Sequence, residues 1–348
     1  MVILRTDIKD KLLGGIFMPR NVVKKILPQS VKTNFRRKRL VERLKANYAY
    51  DFKQYLKFSL ARTQIDTQIR HQAFITKEYH RIEKRLAFKE PRVGFAPDVI
   101  QNLLANLRQY QKKYGLDETA QMALNTLFAY YQFNLSHGLK DEQLHQELVE
   151  LRNTIPYSED TTDKGGVIKL SKQSILNTAK LDLRAFFESR YSIRDFAPDD
   201  VDISLIEAAV KMAQKTPSVC NRQSSRVYVF TNEQDKKKVL SYQSGNRGFG
   251  DRASKVLIVT SDLKHFFGIS ERNQCWIDGG MFAMSLIYAL HSLGLGSCCL
   301  NWSVEYEVDL ALKNAVGISD SDSIIMMIAV GHLPENLKVA QSNRKNIQ

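Results

Sequence analysis

The chain has 348 residues, enough for two domains, and its 43% hydrophobic and 25% charged residues are typical of a globular protein. No apolar run reaches the roughly 18 residues that a membrane span needs, and charged residues interrupt the N-terminal apolar stretch, so neither a membrane anchor nor a secretory signal is expected. The four cysteines show neither a C-x-x-C pair nor zinc-ligand spacing, which indicates a reduced, cytoplasmic setting.

The net charge of +14 is concentrated at one end of the sequence. Residues 1–45 contain thirteen Lys or Arg and three Asp or Glu and carry +10, whereas the other 303 residues carry only +4. This basic N-terminal arm could lie on an anionic membrane surface, contact nucleic acid, or simply keep the protein in solution. Nucleic acid is the weakest of the three interpretations, because no aromatic platform or known nucleic-acid motif accompanies the charges.

Residues 46–155 are predicted to form an all-α helical extension. Residues 40–88 contain neither glycine nor proline and place apolar residues at helical spacing, which predicts one long helix or two packed ones. Further helices are expected over residues 98–114, 118–137 and 141–152, with Asp117 as the N-cap of the second. His80 and Glu83 could ligate a metal, but a surface ion pair is the better interpretation because no second such pair exists.

The polar, glycine-containing stretch 156–180 is interpreted as a linker to a second domain, residues 181–348. Helices and strands alternate in this domain. Helices are predicted over 181–189, 204–214, 234–242, 279–293 and 308–316, and strands over 227–230, 255–260 and 324–330. This alternation predicts a sheet covered by helices, in an α/β or α+β architecture.

The segment R-Y-S-I-R at residues 190–194 places two arginines and a hydroxyl within five positions. Guanidinium groups form charge-assisted, often bidentate hydrogen bonds with phosphate oxygens, and a serine hydroxyl adds a neutral donor. The segment is therefore a candidate phosphate clamp. Taken alone, a solvated turn with surface arginines is the better interpretation.

Three further motifs follow in order. They are P-S-V-C-N-R-Q at 217–223, D-G-G at 278–280 opening an apolar helix that ends in G-L-G-S at 294–297, and G-H-L-P at 331–334 with Arg344 beyond. In this order and spacing, the motifs resemble those of the FMN-dependent nitroreductase family over about residues 181–348. The resemblance implies a nitroreductase-like three-layer α/β/α domain, of class α+β, preceded by the helical extension. It also implies FMN as cofactor, NADH or NADPH as electron donor, and a homodimer.

The resemblance assigns roles to individual residues. The phosphate site would contain Arg190, Ser192, Arg194 and Arg344, and Tyr191 would be a further cofactor-binding residue. The isoalloxazine would be lined, usually from the second subunit, by Pro217, Ser218, Asn221 and Gln223. Asn246 would touch the pyrimidine edge, and a backbone amide at Leu300 or Asn301 would face flavin N5. No catalytic side chain and no metal are expected, because the flavin carries the redox chemistry.

Two features depart from the family pattern. Ser224 and Ser225 follow Gln223, where the family often has Pro-Trp, and the domain is too short for the helical insertion that usually covers the substrate pocket. We hypothesise that part of the helical extension, or the loop at residues 264–276, supplies this cover.

The leading functional hypothesis is a homodimeric FMN-dependent oxidoreductase. NAD(P)H would reduce the flavin, leave, and be replaced by a small-molecule acceptor such as a nitroaromatic or a quinone, in a ping-pong cycle. The alternative is a non-catalytic flavin-fold scaffold, or a membrane-associated interaction protein in cell-surface polysaccharide production, a setting in which long proteins of this type occur. The sequence selects neither the physiological acceptor nor the nicotinamide cofactor.

Overall fold

The computed structural model describes residues 29–61, 64–115, 117–153, 164–179, 181–342 and 344. Residues 1–28 of the predicted arm, residues 154–155 of the predicted helical extension and residues 156–163 of the predicted linker lie outside this range. The chain divides into two units between Phe52 and Lys53, and each is described by itself. Within the described ranges, no helix is both long enough and apolar enough to cross a membrane.

The first unit contains most of helix α1, which runs from Gln29 to Phe58. The helix has no internal glycine or proline and is rich in Lys, Arg, Leu and Ala, which are good helix formers. The basic run at residues 36–39 lies within it and is exposed. The part of the predicted arm that the structure describes is therefore helical.

Four helices in the second unit form a bundle: α2 (Gln68–Leu86), α3 (Pro97–Tyr114), α4 (Glu118–Ser136) and α5 (Glu142–Asn153). Their apolar residues recur every three or four positions and face one common core. The most deeply buried side chains of this core include Ile75, Ile82, Leu103, Leu104, Leu107, Leu124, Leu127 and Leu148. Over residues 40–88, the structure has two helices, α1 and α2, rather than one.

Two carboxylates connect the bundle internally. Asp117 caps α4 as predicted, accepting a hydrogen bond from the Ala120 amide at 3.1 Å, and its other oxygen accepts from the Tyr110 hydroxyl at 2.5 Å. Glu83 lies 3.2 Å from His80 Nδ1, so the two residues that the sequence predicts to pair are in contact, and Glu83 also accepts from the Gly166 amide. The second carboxylate therefore holds Gly166, which is part of the predicted linker, against α2.

Two short helices, α6 (Lys172–Thr178) and α7 (Leu183–Ser189), precede the sheet. Helix α6 lies inside the predicted linker, where the sequence analysis expects no helix. Its start is capped by Ser171, whose hydroxyl accepts a hydrogen bond from the Ser174 amide at 3.0 Å. Neither helix has a buried residue, so both expose their apolar side chains.

The remaining elements are α8 (Ile203–Ala213), β1 (Ser225–Phe230), α9 (Glu233–Leu240), β2 (Lys255–Asp262), α10 (Gln274–Ser292), β3 (Leu295–Asn301), α11 (Tyr306–Val316) and β4 (Asp322–His332). The four strands form one sheet in the order β1-β2-β4-β3. Every neighbouring pair is antiparallel. Strands β1 and β3 are therefore the two edges of the sheet.

Side chains alternate between the two faces of the sheet and produce the layers. On one face, Leu257 and Val259 of β2 pack with Ile328 and Val330 of β4 against α8 and α10. On the other, Val256 and Ile258 pack against α9 and α11, through residues such as Val239 and Leu312. The three-layer α/β/α domain and the α+β class are confirmed.

Strand β3 is the strand of the sheet that the sequence analysis missed. It contains Gly296, Ser297, Cys298 and Cys299 among its seven residues, and such small residues have low strand propensity. Its pairing with β4, from Leu295 opposite His332 to Asn301 opposite Met326, creates the strand. This strand forms the edge at which the predicted arginines lie.

Candidate functional site

The segment that contains the R-Y-S-I-R motif lies along the free edge of β3. The Ile193 amide donates to the Ser297 carbonyl at 2.9 Å, and the Ala197 amide donates to the His332 carbonyl at 3.0 Å. Two glycines permit this close approach: a Cβ on Gly296 would lie 3.0 Å from Ile193, and one on Gly331 would lie 2.7 Å from Phe196. Both glycine motifs thus position the arginine segment.

Arg190 and Arg194 flank β3 without an acidic partner. The nearby acidic residues form ion pairs with other arginines: Glu188 with Arg184, and Asp195 with Arg252. Among the described residues, no ion pair joins Arg190 or Arg194 to a carboxylate. Arg194 lies over the Phe249 ring at 5.9 Å from its centroid. Two unneutralised guanidinium groups at one sheet edge suit an anionic ligand.

Arg190 and Arg194 also act on nearby titratable groups. Burial lowers the pKa of His291 at the end of α10, and the positive charge of Arg190 lowers it further. Burial raises the pKa of both Cys298 and Cys299, opposed by Arg194 and Arg190 respectively. Both cysteines therefore stay as thiols at neutral pH, which argues against a nucleophilic thiolate here.

The other predicted phosphate residues are less constrained. Ser192 is partly buried and Tyr191 is 40% exposed. Arg344 is exposed, and its guanidinium donates to the Ser342 carbonyl. Convergence of Arg344 on Arg190 and Arg194 stays a prediction.

The end of β3 carries a chain of amide side chains. Gln243 Nε2 donates to the Asn301 carbonyl at 3.1 Å, and Asn246 Nδ2 donates to the Leu240 carbonyl at 2.9 Å and lies 3.2 Å from Gln243 Oε1. Asn246 and Asn301, both predicted from the sequence, are therefore brought together. Gln243, which is buried and joins them, was missed because its partner lies 58 positions away.

The register of β3 distinguishes the two candidate amide donors. In an antiparallel strand, the N–H and C=O of one residue point to the same side, and successive residues alternate. Ser297 points away from β4, because its carbonyl accepts from Ile193, so Asn301 four residues later points the same way. Leu300 instead directs its amide towards Met327 of β4. The geometry favours Asn301 over Leu300 as a donor to a bound ligand.

The loop at residues 217–223 adopts an unusual backbone conformation. Cys220, Asn221 and Gln223 all have positive φ, at 49°, 53° and 48°. The Gln223 amide donates to the Ser218 hydroxyl at 3.0 Å, which closes the loop on itself. Residues other than glycine rarely adopt this conformation, and such strain concentrates at functional sites.

A small, solvent-open pocket of about 80 Å³ lies beside this loop. It is lined by Gln214, Thr216, Pro217, Ser218, Gln223, Ser225, Asp278 and Phe282. Three of the predicted flavin-lining residues, Pro217, Ser218 and Gln223, therefore share one cavity. The lining combines apolar surface with several neutral donors and acceptors, as small-molecule sites do.

Two buried side chains, Asp278 and Arg222, anchor the 217–223 loop through hydrogen bonds. Asp278 of α10 accepts a hydrogen bond from the Val219 amide at 3.1 Å. Arg222 donates to the Val219 carbonyl at 3.0 Å, to the His265 carbonyl at 2.6 Å and to Glu271 at 2.9 Å. The Arg222 side chain is only 1% exposed, so all of its charge is neutralised internally. Both residues belong to motifs noted in the sequence, but their anchoring role was not predicted, since their partners are distant in the chain.

Helix α2 of the bundle reaches the same anchor. Phe74 lies 6.4 Å from the Phe267 ring, and Lys77 lies over the Phe267 ring at 4.6 Å. Phe267 in turn lies 4.9 Å from the Arg222 guanidinium, and its amide donates to Glu271 at 2.6 Å. The helical extension and the 264–276 loop are thus connected to the 217–223 loop, as the cover hypothesis requires.

The two groups of predicted residues lie at opposite edges of the sheet. The 217–223 loop leads into β1, whereas Arg190, Arg194 and Asn301 belong to the β3 edge. Three interstrand spacings of about 4.8 Å separate these edges, roughly 14 Å in all. Within one chain, the structure places the two groups apart.

A buried charge network lies at the β1 end of the sheet. Arg226 donates to Asp262 at 2.6 Å and to Asp322 at 3.1 Å, and both carboxylates are fully buried. Burial raises the pKa of Asp322, while Arg226 opposes the rise. Close by, His265 has a buried ring nitrogen, Nδ1, without a hydrogen-bond partner among the described residues.

His265 is expected to make the protein acid-sensitive. Burial lowers its pKa from 6.5 to about 4, with Arg226 and Arg222 contributing and Asp262 opposing. Below pH 6.5, His265 is protonated in the unfolded chain, whereas in the folded chain it stays neutral until about pH 4. The free energy of unfolding therefore falls as pH falls, by up to about 3 kcal/mol. Urea unfolding between pH 7 and 4 measures this loss.

The matched variants for this titration are His265→Phe and His137→Gln. An apolar ring removes the titrating group without leaving a buried nitrogen unpaired, so His265→Phe should flatten the pH dependence. His137 is exposed, and its replacement should leave the slope unchanged. If the free energy of unfolding of His265→Phe depends on pH as strongly as that of the wild type, another group causes the acid sensitivity.

The fold and the unpaired arginines define a three-layer α+β domain with a cationic sheet edge suited to an anionic cofactor. Residues 187–246 and 238–332 match the family model of the nitroreductase family. The match spans residues 187–332, less than half of the chain, and confirms the family resemblance for that region. Helices α1 to α6 precede the matched region.

Several solved structures resemble this half of the chain. An FMN-dependent nitroreductase from Clostridium difficile is 21% identical, with a TM-score of 0.39 over 45% of this chain and 91% of that one. A nitroreductase-like protein from Streptococcus mutans is 20% identical, with a TM-score of 0.41 over 50% and 95%. A nitroreductase with bound FMN from Desulfitobacterium hafniense is 19% identical, with a TM-score of 0.37 over 47% and 97%. No curated protein matches the sequence.

Proposed function

We propose that the protein is an FMN-dependent oxidoreductase that uses NADH or NADPH to reduce a small organic acceptor. The observation that carries the proposal is the pair of unneutralised arginines, Arg190 and Arg194, on the free edge of β3 within a nitroreductase-family domain. Nearby acids are already paired with other arginines, so the two positive charges are available to a ligand. A non-catalytic scaffold would not need to keep them.

The residues present fit the chemical groups of FMN. Arg190, Arg194 and Ser192 supply cationic and neutral donors for a phosphate at the β3 edge, and Arg344 could complete the set. The outward amide of Asn301 supplies the donor for flavin N5, held in place by Gln243. Nothing in this donor set conflicts with a dianionic phosphate.

Bound FMN would supply the redox chemistry, accepting electrons from the nicotinamide and passing them to an acceptor such as a nitro compound or a quinone. The role of the protein is to orient the ring and leave one face open. A backbone donor at Asn301 would hydrogen-bond flavin N5 and hold the ring in position for hydride transfer. Electron donor and acceptor would use the same open face in turn, which is a ping-pong cycle. We propose that the enzyme acts in the cytoplasm.

A second copy of the chain would complete the site. The 217–223 loop lies across the sheet from Asn301, so it suits a flavin held at the β3 edge of another chain. Apolar side chains of α7 and α10 are available for such an association: Leu183 is 55% exposed, Phe187 49% and Ile277 52%. An exposed apolar face of this kind marks a protein interface. We therefore propose a homodimer with two equivalent sites.

The first experiment is the visible spectrum of the purified full-length protein, with the released chromophore identified. We expect FMN, bleached by NADH or NADPH under anaerobic conditions and restored by a quinone. Removing the flavin and adding back FMN or riboflavin tests the arginines, because riboflavin lacks the phosphate and should bind at least about tenfold more weakly. A colourless protein that takes up no FMN would refute the proposal.

A further inference from the structure

Helix α1 has an apolar stripe that faces solvent. Leu40, Leu44, Tyr48 and Phe52 recur every four residues, so they lie on one side of the helix. Between 55% and 67% of each residue is exposed. Amphipathic helices of globular proteins normally bury such a stripe.

Positive charges border the stripe on both sides. At 100° per residue, Arg36 and Arg43 lie roughly 80° to 120° from the centre of the stripe in one direction, and Lys38 and Lys45 lie as far in the other. Residues 29–52 contain seven Lys or Arg and two Asp or Glu, a net charge of +5. Lysine and arginine at the borders can extend their charged ends away from an apolar phase that the stripe enters.

We propose that residues 36–52 of α1 form a helix that binds the surface of a membrane containing anionic lipids. Leu40, Leu44 and Phe52 enter the boundary between headgroups and acyl chains, Tyr48 adds an amphipathic ring, and the cations contact the headgroups. The fit lies in the combination, because one face supplies apolar area and both borders supply complementary charge.

Nucleic acid fits the same helix less well. Its binding rests on cations that contact phosphates, and the exposed apolar stripe would add nothing to it. Self-association of α1 also fits poorly. A paired coiled coil alternates spacings of three and four, whereas the exposed stripe repeats every four residues. Two copies would also bring like charges together at the borders.

Flotation of the full-length protein with lipid vesicles tests the proposal. We expect the protein to float with vesicles of about three parts phosphatidylcholine to one part phosphatidylglycerol, and not with phosphatidylcholine alone. Raising the salt concentration from about 0.1 M to 0.5 M should lower the bound fraction severalfold, because salt screens exposed charges. Equal binding to both kinds of vesicle, or to neither, would overturn the proposal.

Two variants separate the apolar and ionic contributions. Leu44→Glu with Tyr48→Glu should abolish flotation, whereas Leu135→Glu, an exposed leucine of α4, should not. Replacing residues 36–39 with glutamine should weaken binding at least about tenfold. Replacing four exposed lysines elsewhere, Lys112, Lys211, Lys237 and Lys338, should leave it unchanged. Equal losses in the test and control sets would overturn the proposal.

The competing partners give opposite results in the same assay. Displacement of the protein from vesicles by duplex DNA would favour nucleic acid and refute the membrane site. A change in sedimentation coefficient in the Leu44→Glu, Tyr48→Glu variant would assign the stripe to a second copy. FMN content should be the same in all these variants, so failure of this proposal is distinguishable from failure of the proposed enzyme activity.

Discussion

Replacing both Arg190 and Arg194 with glutamine is expected to give a colourless protein. Each arginine offers a charge-assisted hydrogen bond to FMN, worth about 1.5 to 3 kcal/mol. Loss of both therefore raises the FMN dissociation constant by roughly 10²- to 10⁴-fold. Neither guanidinium is part of an internal ion pair in the described chain, so the fold should survive. Titration of apoprotein with FMN, followed by fluorescence, measures the change.

Arg184→Gln is the matched control for this experiment. Arg184 belongs to the same region but is paired with Glu188 on the exposed surface of α7, at 2.9 Å. Its loss should leave FMN affinity within about twofold, because exposed ion pairs contribute little. Riboflavin affinity should be nearly the same in wild type and double variant if the arginines act on the phosphate. Retention of a full complement of FMN by the double variant would show that the phosphate lies elsewhere.

Replacing Arg222 with methionine is expected to destabilise the protein and release the 217–223 loop. The substitution leaves Glu271 without its charge partner and the His265 carbonyl without its donor. Removing one member of a buried ion pair costs about 3 kcal/mol or more. The strained residues Cys220, Asn221 and Gln223 then lose the anchor beneath them, so FMN affinity should fall as well.

The controls for Arg222 separate charge from shape. Glu271→Gln keeps only one of the two acceptor oxygens that serve Arg222 and the Phe267 amide. Arg222 still donates to the Val219 and His265 carbonyls in this variant, so the substitution should cost less than Arg222→Met. Arg247→Met, in an exposed turn, should cost almost nothing. Urea unfolding gives the stabilities, and flavin titration gives the affinities. A stable Arg222→Met variant with normal flavin affinity would mean that the loop holds its conformation without this anchor.

Helices were predictable where local sequence decides them. The apolar spacing of α3 and α4 and the cap at Asp117 are properties of neighbouring residues, and these elements begin and end within two residues of their predicted bounds. Strand β3 was not predictable in this way. Its small residues become a strand only because β4 and residue 193 hydrogen-bond to its two edges.

The same distinction applies to the candidate site. The spacing of Arg190 and Arg194 is visible in the sequence, and so is the 217–223 loop. The roles of Gln243, Asp278 and Arg222 are not visible, because each acts on a partner between 43 and 59 positions away. The choice of Asn301 over Leu300 needed the strand register, since one position reverses the direction of an amide.

The 217–223 loop and the residues of the β3 edge lie on opposite sides of the sheet. This separation would affect what fraction of the protein is active at a given concentration. A lone chain would hold two half-sites, each lacking the opposite wall. Under the proposed dimeric arrangement, FMN would bind to the dimer and not to the lone chain. By mass action, raising the concentration of either FMN or the chain would therefore increase the population of the dimer. Enzyme activity would then rise more steeply than the chain concentration. Dilution would dissociate the dimer and abolish the activity.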